Sequence, residues 1–116
     1  MSTAVYEAIK AGSTVAEVRA KLRVDRTTFA RMAGVSERTI GEWERTERDA
    51  SDLRQIIVLD RLYDSLCRVV KPEHILAWLK VPNPAFDPLT PIEVLERGQI
   101  DRIWRMIFEM ETGNAF

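Results

Sequence analysis

The sequence predicts an all-α protein of seven or eight short helices. Apolar residues recur at spacings of three and four, and no stretch alternates as a half-buried strand does. Ser, Thr or Asp stands ahead of most apolar runs, and a Gly or Pro closes most of them. With 5 Gly and 5 Pro in 116 residues, these breakers punctuate the chain without dominating it.

The elements follow in order. Residues 3–11 form a short helix closed by Gly12, with Ala4, Val5 and Ile9 near one side. Thr14 and Glu17 have the spacing of a capping box, in which each side chain serves the other's backbone N–H. Val15, Val18 and Leu22 give the next helix its apolar stripe, as far as Arg23. Asp25 caps a helix over 26–33, with Phe29, Ala30 and Met32 on its buried side. Gly34 ends it, because a residue without a Cβ takes the left-handed backbone of such a turn freely. Val35 fills the corner. Ser36 caps a helix over 37–45, whose Ile40 and Trp43 share a face. Trp43 is expected in the core or at a lobe junction. Gly41 weakens the middle of this helix by roughly 1 kcal/mol relative to Ala, or else permits close approach of a groove or partner.

In the second half, Ser51 or Asp52 caps a long helix to about Val69. Its Leu53, Ile56, Leu59, Leu62, Leu66 and Val70 recur at three and four. Cys67 sits in that face as a small buried hydrophobe. Pro72 opens a short helix to Lys80, with Ile75, Trp78 and Leu79 on its apolar side. The run PNPAFDPLTP, residues 82–91, is a rigid loop in which Pro82, Pro84, Pro88 and Pro91 fix φ. Phe86 and Leu89 anchor this loop, and Asn83 bonds its backbone. Thr90, Pro91 and Glu93 start a helix that stops at Gly98. The last helix spans 99–111. Ile100, Ile103, Trp104, Ile107, Phe108 and Met110 form its broad apolar face, and Gly113 closes it.

Composition removes several classes. One Cys rules out an internal disulfide, and one Cys with one His is too few for a Cys/His zinc site. No run approaches the ~20 apolar residues of a membrane span. The start, MSTAVYEAIK, does not read as a signal peptide, so a cytoplasmic location is expected. His74 and the scattered carboxylates form no catalytic pattern, and no glycine loop cradles phosphate. Neither an enzyme, a cofactor nor a metal is expected. The net charge of -1 divides unevenly. Residues 1–48 hold nine Lys/Arg against seven Asp/Glu, and residues 49–116 hold eight against eleven. The front half attracts DNA only weakly as a monomer, so dimerisation or locally placed arginines must carry any such affinity.

The run TTFARMAGVSERTIGEWER resembles the lambda-repressor-like helix-turn-helix of the Xre type. Small Ala30, turn Gly34, apolar Val35, cap Ser36, inward Ile40 and the Trp43-Glu44 pair carry that likeness, over residues 14–48. The later segments AWLKVPNPAF and TPIEVLERG, then a helix closing at Gly113, resemble the toxin-binding domain of the Xre/MbcA/ParS antitoxin family. Trp78, Pro82, Asn83, Pro84, Pro91 and Gly98 are among the matching residues, within residues 53–116. The match departs at Gln99-Ile100 and in the tail IFEMETG.

The resemblance implies a helix-turn-helix domain over 1–48 and a compact helical toxin-binding domain over 49–116. It implies an antitoxin of a type II toxin–antitoxin system. The partner would be a RES-type toxin that consumes NAD, encoded by a neighbouring gene, and the antitoxin would repress its own operon on operator DNA. A homodimer is expected separately, because the long and terminal helices carry more apolar surface than a lone domain of this size hides. DNA contacts would come from Arg26 and Thr27, from Ser36 at the cap, and from Glu37, Arg38, Thr39, Glu42 and Arg45. Toxin contacts would come from Trp104, Phe108 and Gly113 and from the tail Asn114-Ala115-Phe116, with Phe116 as an aromatic anchor in a cleft, the alternative being a frayed terminus. Two other readings stay open. Such a four-helix lobe also serves as a packing module without DNA contact. A stand-alone transcriptional regulator would use the second lobe only to dimerise.

Overall fold

The computed structural model describes residues 12–113. They form seven α-helices: α1 Val15–Leu22, α2 Arg26–Ala33, α3 Glu37–Arg45, α4 Arg54–Leu66, α5 Ile75–Lys80, α6 Pro91–Glu96 and α7 Ile100–Glu111. Single 3-10 turns lie at Ala50–Asp52, Pro72–His74 and Pro84–Phe86. The helix expected over 3–11 lies outside the described residues.

The starts obey local chemistry. Thr14 and Glu17 close a reciprocal capping box on α1, and Thr90 and Glu93 close another on α6, with Pro91 in its first turn. Asp25 accepts from the Thr28 amide at 2.8 Å and Ser36 from the Thr39 amide at 3.0 Å, so α2 and α3 begin where their caps stand. Asn83 accepts from the Ala85 amide at 2.9 Å, which curls the proline loop so that Phe86 and Leu89 are buried.

Three helices differ from the sequence expectation. The helix expected from Pro72 to Lys80 opens as the 3-10 turn Pro72–His74, tightened by the His74 amide on the Lys71 carbonyl at 2.8 Å, and α5 begins only at Ile75. The long helix of residues 52–69 is shorter, because neither Ser51 nor Asp52 caps it. Asp49 accepts instead from the Ser51 amide at 2.8 Å and from its hydroxyl at 2.7 Å, giving a separate 3-10 turn. Leu53 is extended, and α4 starts after it without a side-chain cap. At the far end, the amides of Val69 and Val70 both turn back to the Leu66 carbonyl. Cys67 is half-buried rather than buried. The broad face of the last helix also splits. Ile103, Met106 and Ile107 are buried, whereas Phe108 is 63% exposed and Met110 is 41% exposed.

The helices share one hydrophobic cluster that runs from Val15 to Ile107. Helix α2 lies at its centre and packs on α3, α4 and α6, while α1 packs on α3 and α4, and α6 on both α5 and α7. Each fully buried Leu, Ile or Phe in it contributes about 1.5–3 kcal/mol relative to exposure. The chain before α1 is clamped to the chain after α3. Thr14 and Asp49 form an antiparallel bridge, flanked by bonds from the Val15 amide to the Arg48 carbonyl (3.0 Å) and from the Ala50 amide to the Ser13 carbonyl (2.8 Å). Arg31 of α2 forks onto Glu96 of α6 at 2.8 and 3.0 Å, joining the two halves at the surface.

Candidate functional site

The α2–turn–α3 corner is built from one glycine and one cap. Gly34 has φ +72°, and a Cβ there would meet open space, so the backbone angle alone demands glycine. The Val35 amide returns to the Ala30 carbonyl at 3.1 Å, which closes the turn. Ile40 is fully buried and pins α3 against the core, with half-buried Trp43 beside it. The opposite face of α3 is left to solvent.

Glu44 holds the corner rigid. It is one turn after Ile40, its side chain is only 5% exposed, and two helices reach it. Arg19 of α1 donates through Nε at 2.8 Å and Nη2 at 3.4 Å, and Arg26 of α2 donates through Nε at 2.5 Å. Burial pushes the Glu44 carboxyl up, but the hydrogen bonds and charges of Arg19 and Arg26 outweigh it and hold the group below its ordinary value. Sequence reasoning missed this role for Glu44. The available signal was its i+4 spacing from Ile40, which places it on the inward side of α3.

The exposed face of α3 overlooks an open groove of about 730 Å³, lined by Arg26, Glu37, Arg38, Gly41, Glu42 and Arg45. Five of the eight residues expected to contact DNA therefore line one surface, and Gly41 lines it with them. A smaller depression of about 400 Å³ adjoins it at Arg38, Thr39, Glu42 and Trp43. Thr27 is exposed but lines neither. The hydroxyls of Ser36 and Thr39 lie 2.8 Å apart and serve each other and the cap. Glu42 and Arg45 pair one turn apart. The Arg45 guanidinium holds the Glu42 carboxyl below its usual value, and Glu42 raises the guanidinium. Asp25 is also held low, first by the Thr28 amide and hydroxyl, with Lys80 and Arg19 adding charge.

No protein-family model, curated protein or solved structure matches this chain.

The second surface lies on α7. Half-buried Trp104 and exposed Phe108 stand one turn apart, and Ile100, a turn before them, is half-buried. Ile100 also lines an apolar groove of about 280 Å³ with Val58, Leu95 and Met32. Gly113 has φ +75° just beyond α7. Asn114, Ala115 and Phe116 lie outside the described residues. The residues expected to be structural hold the α5–α6 loop and its ends. Trp78 is half-buried and meets Phe86 edge-on, with ring centres 6.4 Å apart at 83°. Pro91 is buried at the start of α6, and Pro82 and Pro84 face solvent beside the Asn83 turn. Gly98 lies between α6 and α7 with φ +72°. His74 is exposed. Among the described residues, no group of three or more His, Cys, Asp or Glu is placed to hold a metal. No helix among them is long and apolar enough to cross a membrane.

Proposed function

We propose that this protein is a DNA-binding antitoxin of a type II toxin–antitoxin system. In this reading the α2–α3 corner is a helix-turn-helix of the lambda-repressor type that contacts operator DNA. The second half, from Asp49 onward, is a toxin-binding lobe that covers the substrate cleft of a RES-type, NAD-consuming toxin. The observation that carries the reading is the division of α3. Ile40 and Glu44 anchor it, and the opposite face turns Arg38 and its neighbours outward around an open groove. A helix held that firmly along one side and bare along the other suits insertion into a major groove. The Trp104–Phe108 flank of α7 supports the second half of the reading, because an exposed aromatic beside a half-buried one is a common anchor for a partner. The protein acts by occlusion and carries out no catalysis of its own.

The same exposed Phe108 favours one alternative, a stand-alone helix-turn-helix regulator that dimerises through α7. Two variants separate the parts. Arg38→Ala is expected to weaken binding to the duplex upstream of the protein's own gene at least several-fold while toxin inhibition is unchanged. Phe108→Ser is expected to weaken toxin inhibition while DNA binding is unchanged. An electrophoretic titration that finds Arg38→Ala equal to the parent removes α3 as the DNA contact. A Phe108→Ser monomer that still inhibits the toxin removes α7 as the toxin contact.

A further inference from the structure

The groove on α3 offers specific chemistry as well as exposure, and any reading of bases by it rests on the DNA-contact role proposed for α3. Three of its lining charges are already committed: Arg26 bonds Glu44, and Glu42 pairs with Arg45. Glu37 and Arg38 are not. They are adjacent at the start of α3, both are exposed, and neither has a side-chain ion-pair partner among the described residues. No Asn or Gln lines the groove, and those amides are the usual bidentate partners of adenine. A guanidinium offers paired donors to guanine O6 and N7. A carboxylate is repelled by phosphate but accepts from the N4 amine of cytosine. A free carboxylate beside a free guanidinium therefore has its best complement at G·C pairs.

Gly41 adds an independent observation. It lies inside α3, where glycine destabilises a helix. Its backbone is ordinary helix, and an added Cβ would meet only Arg26 Nη1 at 3.8 Å, a normal contact distance. Neither backbone angle nor packing requires glycine there. What glycine does supply is clearance on the open side of the groove.

We propose that this groove reads G·C base pairs in the DNA major groove. Arg38 donates to guanine O6 and N7, Glu37 accepts from a cytosine N4 amine, and Gly41 leaves the helix backbone open to the approaching duplex. The test is selection of a pool of DNA duplexes with a randomised centre, retained by the full chain at low salt, followed by titration of the most enriched duplex. The expected centre carries adjacent G·C pairs. Glu37→Gln and Arg38→Ala each relax the preference at one position, by roughly tenfold. Gly41→Ala raises the thermal midpoint by a few degrees and weakens binding to the enriched duplex about tenfold. Enrichment of A·T pairs, or a preference unchanged in Glu37→Gln and Arg38→Ala, overturns the base assignment. A Gly41→Ala protein that is more stable and binds as tightly as the parent overturns the clearance role. Retention of DNA without any enrichment overturns this inference alone, whereas failure to retain any duplex overturns the DNA-contact reading with it.

Discussion

Glu44 shows how much one side chain can organise. Three helices meet at its carboxylate, through Arg19 and Arg26, at a position almost closed to solvent. Glu44→Gln keeps the shape and removes the charge. Because both guanidiniums retain some water, the expected cost is about 1–2 kcal/mol, below that of a fully buried pair, read as a lower urea midpoint. The pH dependence has a definite sign. The ordinary value of this carboxyl is 4.5, and the folded value lies below it. Its stabilisation is complete above about 4.5 and is lost as pH falls through the folded value, so the acid limb of a stability–pH curve is expected to flatten in Glu44→Gln. An unchanged limb would mean that the other depressed carboxyls, among them Asp25, Glu93 and Glu96, carry it all. At the neighbouring turn, Gly34→Ala has room for its methyl but not a comfortable backbone, and about 1–2 kcal/mol of destabilisation is expected from the angle alone. Arg23 provides the reverse case. It closes α1 at φ 59°, and Arg23→Gly is expected to raise stability by about 0.5–1 kcal/mol in the same urea titration. Gly34 and Ser36 were legible in the sequence because a turn and a cap each need one residue type at one place. Glu44 was not, because its partners stand 25 and 18 residues away and only the folded chain brings them together.

At the scale of elements, starts were easier to read than lengths or faces. The caps of α1, α2, α3 and α6 stand where the sequence placed them, since each cap bonds an amide three residues along. The beginning of α4 was misread because Asp49 engages the amide and the hydroxyl of Ser51, one of the two expected caps, and curls Ala50–Asp52 into its own turn. The division of α7's broad face was not legible for a different reason. Its apolar residues cover a wide arc, and periodicity alone does not say which edge of the arc meets neighbours. The structure divides them, and stability measurements should follow the division. Ile103→Ala is expected to cost about 2–5 kcal/mol, whereas Phe108→Ser should stay within about 0.5 kcal/mol of the parent. A large loss in Phe108→Ser would show that α7 is covered in solution. Trp78 lies between these cases. Its edge-on contact with Phe86 and its half-burial lead to an expected loss of about 1.5–3 kcal/mol for Trp78→Ala, less than for a fully buried tryptophan.

For the whole molecule, the two halves differ in charge but share a core. Helix α2 belongs to the corner that turns Arg38 outward, and it also packs on α6 of the second half. The all-α class was legible from spacing and breakers alone. The contact between α2 and α6 was not, because nothing local in either helix names the other. The basic excess of residues 1–48 is small, nine cations against seven anions, so DNA affinity is expected to be weak for a monomer and to fall steeply with salt. The central claim joins that face to a toxin-binding lobe. Its most direct test is coexpression with the product of the adjacent gene, followed by size-exclusion chromatography with light scattering and an assay of NAD consumption. The account predicts a stable complex in which the partner no longer consumes NAD. Separate elution of the two proteins, with the partner's activity undiminished or absent, would contradict it.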